Sequence, residues 1–301
     1  MLTSKEKSSV PDVVYHYTSM NGLLGIIEGY IWATNILYLN DISEYNHFLA
    51  LVKARLLQLR KSHKLRHVLM VVASRRNRRP PAYMDVPFVA SFSESRDSLA
   101  HWRSYCPQGN GVCIGLRTES INAANLEKAR KGMCQAGFFA VGYVEPNDVK
   151  RLDEMIDKIL ADSASTLDAM ESAKGRIASL KNRVGMFRAG LELRAAMTKH
   201  SSFNVEREYR LLAWLYGQGE LVSYRPSRST LVPYLKMRLP DPAPSSSAFG
   251  RSRSPKARFI DSVTIGPTPH LELSADAVLG LLQSRGFDVP VKKSSVPFRD
   301  W

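Results

Sequence analysis

The sequence predicts an α+β fold, in which a central mixed or antiparallel sheet is flanked by helices. Short β-prone runs recur along the chain, for example residues 13–15, 86–92 and 112–116. Each run is rich in the β-branched and aromatic residues that favour strands. Residues 148–198 stand between such runs and carry apolar side chains at the helical spacing. We therefore expect one domain over residues 1–301, with a helical hairpin inserted at 148–198.

Two segments are expected to lie outside the packed part of that domain. Residues 1–11 are polar and end at Pro11. Residues 240–256 are dominated by proline, serine and arginine, a low-complexity composition that cannot bury enough apolar surface to order itself. The sequence therefore predicts a disordered lead and a mobile loop.

Bulk composition is typical of a soluble globular protein, with 44% hydrophobic and 23% charged residues. No run of about 18 apolar residues indicates a membrane span, and the first residues lack the apolar core of a signal peptide. The three cysteines, Cys106, Cys113 and Cys134, lack the paired spacing of zinc ligands. They fit free thiols in a reducing cytoplasm. We expect a cytoplasmic protein without a bound metal.

The net charge of +14 is the one unusual bulk property. A positive field of this size attracts polyanions such as nucleic acid, or a phosphate-bearing small molecule. Four arginines before a Pro-Pro pair form a basic loop, which either contacts phosphates or is a solvated connector. The candidate nucleic-acid contacts are Arg75, Arg76, Arg78 and Arg79.

The densest group of reactive side chains near the N-terminus is the run Tyr15–Ser19, centred on His16. A histidine is a switchable donor or acceptor, the tyrosines offer aromatic faces, and Thr18 and Ser19 add hydroxyls. This set could hold a sugar hydroxyl and a flat ring. Alternatively, His16 and Tyr17 are partly buried strand residues whose polar atoms are satisfied within the protein.

Glu206 and Glu208 form a second candidate site. In an extended segment, residues two apart project from the same face, so both carboxylates could line one wall of a cleft. Paired acids suit general acid–base catalysis, metal binding or stabilisation of an oxocarbenium-like sugar cation. The alternative is an exposed strand start, where alternating Glu and Arg residues make cross-strand ion pairs.

A helix is predicted around Leu99–Tyr105. Asp97 and His101 stand four residues apart and Glu94 precedes them, which is compatible with a metal-binding face or with Asp97 as a helix cap. Trp102 and Tyr105 are core residues or a ring-stacking platform. The chain lacks a P-loop, Gly-x-Gly-x-x-Gly, His-Glu-x-x-His and Gly-x-Ser-x-Gly, which disfavours standard kinases, Rossmann dehydrogenases, zincins and α/β-hydrolases.

The order of several motifs resembles the bacterial domain-of-unknown-function 2971 family over nearly the whole chain. The N-terminal motifs are Tyr15–Ser19, Ile31–Asn35, Asn40–Glu44 and Ala90–Glu94. The later motifs are Leu99–Tyr105, Gly111–Leu116, Phe203, Glu206–Leu211, Ile265–Pro267 and Ser295–Arg299. The sequence differs from the family at Asn40–Glu44, where Asn-Asp-Pro-Phe-Glu is usual, and at His101, where an apolar residue is usual.

A second resemblance is to ADP-ribosyltransferases of the His-Tyr-Glu kind and related NAD-using toxins. Its three parts are an early strand with a histidine, a middle strand with small hydroxyls or aromatics, and a late strand with a Glu or Glu-x-Glu. They correspond here to His16, to residues 91–93, and to Glu206 with Glu208. The resemblance implies an ADP-ribosyltransferase-like fold and NAD as the substrate.

That resemblance also implies a role for each group. His16 would hydrogen-bond the nicotinamide-side ribose, and Tyr17 or Tyr105 would stack on nicotinamide. Glu208 or Glu206 would stabilise the positive charge that develops as the glycosidic bond breaks. The candidate NAD-binding residues are Tyr17, Thr18, Ser91, Ser93, Trp102, Arg103 and Tyr105.

The sequence therefore leads to one main functional hypothesis and two alternatives. The main one is an NAD-dependent ADP-ribosyltransferase or NAD glycohydrolase, of the kind found among toxins and phage-defence effectors, with a nucleic-acid or phosphorylated acceptor. The first alternative is a non-catalytic nucleic-acid-binding or stress-response module. The second is a metal-dependent hydrolase or nuclease.

Overall fold

The computed structural model describes residues 10–39, 42–59, 86–125, 134–145, 148–171, 190–215, 219–227, 229–241 and 258–297. The chain divides into two compact units. The first comprises Met1–Thr34, Phe88–Ala140 and Val205–Trp301, and the second comprises Asn35–Pro87 and Val141–Asn204. The basic loop Arg75–Arg79 lies outside the described residues, as do most of 1–11 and 240–256.

The first unit is built on a ten-stranded sheet, and the second contains a two-stranded one. The strands are β1 (Val13–Ser19), β2 (Tyr30–Asn35), β3 (Phe88–Ser93), β4 (Gly111–Arg117), β5 (Cys134–Ala140), β6 (Gly142–Val144), β7 (Thr198–His200), β8 (Glu208–Leu215), β9 (Ser223–Pro226), β10 (Leu231–Arg238), β11 (Ile260–Ile265) and β12 (Val291–Lys293). The large sheet has the order β12-β11-β4-β1-β3-β2-β10-β9, and β8 joins β3 to β5.

Most neighbours in the large sheet pair antiparallel, whereas β11 and β12 pair in parallel. The sheet is therefore mixed. Strands β4 and β8 are buried over nearly their whole length, as expected for central strands covered on both faces. The predicted α+β class, with a central mixed sheet and flanking helices, is confirmed; its ADP-ribosyltransferase-like character stays a prediction.

The helices are α1 (Met20–Ile27), α2 (Ile42–Leu59), α3 (Leu99–Tyr105), α4 (Thr118–Asn122), α5 (Val149–Glu171) and α6 (Leu271–Ser284), with a further helical stretch at 190–196. Helix α1 follows β1 directly because Ser19 Oγ accepts a hydrogen bond from Gly22 N at 3.2 Å, which satisfies one of the amides exposed at a helix start. Gly29 then turns the chain into β2 with φ +86°, a conformation that favours glycine. Within the described ranges, no helix is both long and apolar enough to cross a membrane.

The second unit contains the parts of the predicted insertion that the structure describes, namely α5 and residues 190–196, together with α2. Arg55 on α2 binds Asp153 on α5 through two hydrogen bonds of 2.5 and 2.6 Å. Glu192 is buried, and burial raises its pKa to about 8. Residues 172–189, where the predicted hairpin would turn, lie outside the described ranges.

Candidate functional site

Tyr17 on β1 is the buried end of a row of aromatic rings in the first unit. Its hydroxyl donates to the Ser95 carbonyl oxygen at 2.7 Å and accepts from Ser98 N at 3.0 Å. Burial raises its pKa, so the phenol stays neutral. The Tyr17 ring stacks on His101, with 4.7 Å between centroids, and meets the edge of Trp102 at 4.8 Å.

The ring row continues outward along α3 to Tyr105. The centroids of His101 and Tyr105 are 5.7 Å apart. His101 is buried, whereas Tyr105 is 37% exposed. The row thus runs from the sheet to the surface and ends in an accessible aromatic ring.

Asp97 fixes the start of α3. It accepts hydrogen bonds from Trp102 Nε1 at 2.7 Å, Ser294 Oγ at 2.6 Å and Ser295 N at 2.8 Å. Burial works to raise its pKa, but these hydrogen bonds outweigh burial and the pKa is lowered. The Asp97 carboxylate is therefore committed to protein donors.

The alternative of a metal site at Glu94, Asp97 and His101 gains no support from this geometry. Glu94 accepts from the Tyr209 hydroxyl at 2.8 Å, Asp97 binds the three donors above, and His101 is stacked on Tyr17. Across the described ranges, no group of three His, Cys, Asp or Glu side chains has a spacing that could hold a metal ion.

Glu206 lies beside the exposed end of the ring row. Its Oε1 accepts from the Tyr105 hydroxyl at 2.8 Å, and its side chain is partly exposed. The Glu206 backbone oxygen accepts from Ser93 Oγ at 2.7 Å, and Ser93 Oγ in turn accepts from Ser95 N at 3.0 Å. Ser93 therefore ties the end of β3 to the segment that carries Glu206.

The expectation that Glu206 and Glu208 project from one face of a strand is wrong. Glu206 ends the 3-10 helix Ser201–Glu206, and β8 begins only at Glu208. Between them, Arg207 has φ +43°, in the left-handed region that non-glycine residues rarely adopt. Because the backbone turns at Arg207, the alternation rule does not apply to the pair.

Glu208 instead pairs with Arg210 on the same strand. Arg210 Nε donates to one carboxylate oxygen at 2.7 Å and Nη2 to the other at 3.1 Å. The two side chains are only 6% and 5% exposed. Sequence reasoning missed Arg210, although residues 208 and 210 lie two apart in a β-prone run and alternation alone places them on one face.

His16 lies on the opposite face of the sheet from the ring row. Its Nδ1 is 2.8 Å from the Ser91 carbonyl oxygen; because a carbonyl only accepts, Nδ1 carries the proton and Nε2 is the acceptor nitrogen. Burial lowers its pKa, so the ring is neutral. Its ring centroid is 5.6 Å from that of Phe92, and Phe92 packs on Phe138.

The register explains this separation. Tyr15 is the Cα partner of Ser93, and Ser93 is the Cα partner of Glu208. Side chains of Cα partners share a face, and consecutive residues alternate. The ring-row side therefore carries Tyr17, Ser91, Ser93, Glu208 and Arg210, whereas His16 and Phe92 lie on the other side.

The remaining candidates take peripheral positions. The Thr18 carbonyl accepts from the Cys106 thiol at 3.4 Å, and Arg103 is exposed on α3. Of the predicted site, the structure brings together Tyr17, Ser93, Trp102, Tyr105, Glu206 and Glu208. It does not bring His16 to them.

A family model described as "Protein of unknown function (DUF2971)" matches residues 101–211, which include most of α3, all of β4, the Glu206–Glu208 segment and the first half of β8. A search of curated proteins and a search of solved structures each found no match. The predicted resemblance to this family is thus confirmed over part of the chain: residues 101–211 match the DUF2971 family of proteins of unknown function.

Proposed function

We propose that this protein cleaves the N-glycosidic bond of NAD, as an ADP-ribosyltransferase or an NAD glycohydrolase. The observation that carries the proposal is the partly exposed Glu206 carboxylate, held by the Tyr105 phenol beside the accessible Tyr105 ring. Cleavage of this bond develops an oxocarbenium-like cation on the ribose and releases neutral nicotinamide. A carboxylate can stabilise the cation, and an aromatic ring can stack on the nicotinamide.

In this proposal Glu206, rather than Glu208, faces the ribosyl cation. The charge of Glu208 is already compensated by the bidentate contact with Arg210, and both side chains are buried. A substrate could reach Glu208 only by displacing Arg210, which would leave a buried charge without its counter-ion. Glu206 is more exposed than Glu208, and the Tyr105 hydroxyl donates a hydrogen bond to it.

His16 and Ser93 are positioning residues in this scheme. His16 binds the Ser91 carbonyl from the far face of the sheet, and Ser93 binds the Glu206 carbonyl. Together they fix β3 between β1 and the segment that carries Glu206. Ser91 lies on the ring-row side of β3, where its hydroxyl could bind a ribose.

The proposal also covers the acceptor of the ADP-ribose group and the cellular compartment. The net charge of +14 favours a nucleic-acid or phosphorylated acceptor, and the three free cysteines fit a reducing cytoplasm. NAD cleavage or ADP-ribosylation would suit a toxin or a phage-defence effector.

The test is nicotinamide release from NAD by the purified protein, measured by chromatography with and without polynucleotide. We expect Glu206→Gln to lower the rate by about 100-fold or more, the loss typical of removing one preorganised electrostatic contact. Glu119→Gln, a change of the same kind on an exposed carboxylate of α4, is the matched control. Intact NAD with the wild-type protein under all conditions, or equal rates for the two variants, would refute the proposal.

A further inference from the structure

An aromatic and basic surface lies at the end of the large sheet formed by β2, β10 and β9. It consists of Tyr30, Trp32, Tyr234, Lys236, Arg238 and Arg225, and we call it the aromatic–basic face. All six residues belong to the first unit. None of them takes part in the proposed NAD site.

The pairing register brings these side chains onto one side of the sheet. The Cα partner of Trp32 is Lys236, and that of Tyr30 is Arg238. Along β10 the exposed Lys236 and Arg238 alternate with the buried Leu235 and Met237. Over residues 235–238, therefore, one face of β10 packs on the core while the other is open.

The cations of this face are held by aromatic rings. Lys236 Nζ lies 4.2 Å from the centroid of the Tyr30 ring. The Arg238 guanidinium lies 5.7 Å from the same centroid. The Arg225 guanidinium lies 5.9 Å from the Trp32 ring. In the part of the chain that the structure describes, Lys236 has no carboxylate partner. A cation–π contact orders a cation without neutralising it, so this charge remains available to an anion.

The same face offers rings for stacking. Trp32 is 40% exposed, and its ring centroid lies 4.7 Å from that of Tyr234, with 35° between the two planes. Two adjacent rings beside ordered cations are the combination that binds single-stranded nucleic acid, because bases stack on the rings while phosphates meet the cations. A duplex hides its base faces within its own stack and cannot use the rings in this way.

We propose that the aromatic–basic face binds single-stranded nucleic acid, with bases on Trp32 and Tyr234 and phosphates on Lys236, Arg238 and Arg225. The net charge of +14 complements a polyanion. The inference is independent of the proposed NAD cleavage, since it uses another part of the sheet. It also differs from the predicted contact at Arg75–Arg79.

The test is fluorescence anisotropy of a labelled mixed-sequence single-stranded RNA with the full-length chain, over a series of salt concentrations. Two variants remove two positive charges each: Lys236→Gln/Arg238→Gln on the face, and Lys150→Gln/Arg151→Gln on exposed positions of α5 as the matched control. Each phosphate contact on a single strand contributes about −0.7 to the slope of log K against log salt. We expect the face variant to lose about 1.4 from the steepness of that slope, and the control to keep the wild-type slope.

Trp32→Ala tests the stacking part separately. We expect affinity for the RNA to fall about five- to 150-fold, the loss for one base–ring contact, with an unchanged salt slope because no charge is removed. Circular dichroism checks that each variant is folded. A duplex of the same sequence should bind more weakly than the single strand.

Several outcomes would overturn the inference. They are the absence of RNA binding by the wild-type chain, equal losses in the face and control variants, and equal affinity for duplex and single strand. Tighter binding to phosphatidylserine vesicles than to RNA, with the same dependence on Trp32, would assign the face to a lipid surface instead. Loss of binding only when Arg75–Arg79 are neutralised would place the contact in the basic loop.

Discussion

Replacement of Glu208 by glutamine should destabilise the first unit strongly, whatever its effect on activity. Glu208 and Arg210 are 6% and 5% exposed and joined by two hydrogen bonds. Removing one partner of such a buried pair costs about 3–5 kcal/mol, because the other charge is left in a poorly solvated place. Glutamine keeps the shape and one acceptor oxygen, so we expect a loss of about 3 kcal/mol.

An exposed ion pair between a helix and a strand of the same sheet supplies the matched control. Glu272 on α6 pairs with Lys293 on β12, and the side chains are 77% and 43% exposed. Exposed pairs contribute about 0–1 kcal/mol. We therefore expect Glu272→Gln to change the free energy of unfolding by less than about 1 kcal/mol.

Urea unfolding followed by tryptophan fluorescence measures this difference. All four tryptophans fall within the residue ranges of the first unit, so the signal follows the unit that contains the pair. Because the chain has two units, the fluorescence transition should be analysed separately from the circular dichroism transition, which reports both.

A variant that replaces both members of the pair makes the test sharper. Replacing both members of a buried pair with apolar residues is often neutral or stabilising, so Glu208→Leu/Arg210→Met should recover much of the stability that Glu208→Gln loses. The reasoning fails if Glu208→Gln costs no more than Glu272→Gln, or if the double variant is less stable than the single one.

Two further predictions concern pH. Burial raises the folded-state pKa of Glu192 from 4.5 to about 8, so its contribution to stability is full below pH 4.5 and is lost as pH rises through 8. Glu192→Gln should weaken the dependence of the unfolding free energy on pH, and this variant should be more stable than the wild type at pH 8.5 by a few kcal/mol. Unfolding followed by circular dichroism measures both effects, and a pH dependence equal to that of the wild type would contradict the prediction. Burial lowers the pKa of His16 below 6.5, so its contribution is full above pH 6.5 and is lost as pH falls below that value. His16→Asn keeps a donor for the Ser91 carbonyl and removes the titration, so tryptophan-detected stability should fall less between pH 7.5 and 5.5 than in the wild type; equal losses would count against this assignment.

Local sequence signals were sufficient for much of the fold. The run 86–92 corresponds to β3, Phe88–Ser93, and the run 112–116 corresponds to β4, Gly111–Arg117. In both cases β-branched and aromatic residues pack in a buried strand, which is the environment that their propensity reflects. The class of fold follows from such runs without knowledge of the register.

The candidate site depended on contacts that no local pattern encodes. Asp97 receives its hydrogen bonds from Ser294 and Ser295, about 200 residues away in sequence. Nothing near Asp97 indicates such a partner. The placement of Ser93 beside Glu208 likewise depends on the β3–β8 register, which long-range pairing decides.

One residue explains why the Glu206–Glu208 geometry was predicted wrongly. The interpretation assumed extended backbone through 206–208, and Arg207 adopts φ +43° instead. Arginine gives no sequence signal for this conformation, which in most proteins falls to glycine or asparagine. Such strain persists only where the surrounding structure enforces it, and it is often found at functional sites.

The antiparallel pairing of β4 with β11 has a consequence for how the protein is made. Val112 is the Cα partner of Ile265, and Gly266 N donates to the Gly111 carbonyl at 2.9 Å. At a synthesis rate of about 5–20 residues per second, the ribosome needs on the order of ten seconds to pass from β4 to β11. During that interval β4 can pair with β1 along one edge, but its other edge has no partner strand. The last third of the chain thus sets the earliest moment at which the first unit can complete its fold, and a chaperone that shields strand edges would act in this window.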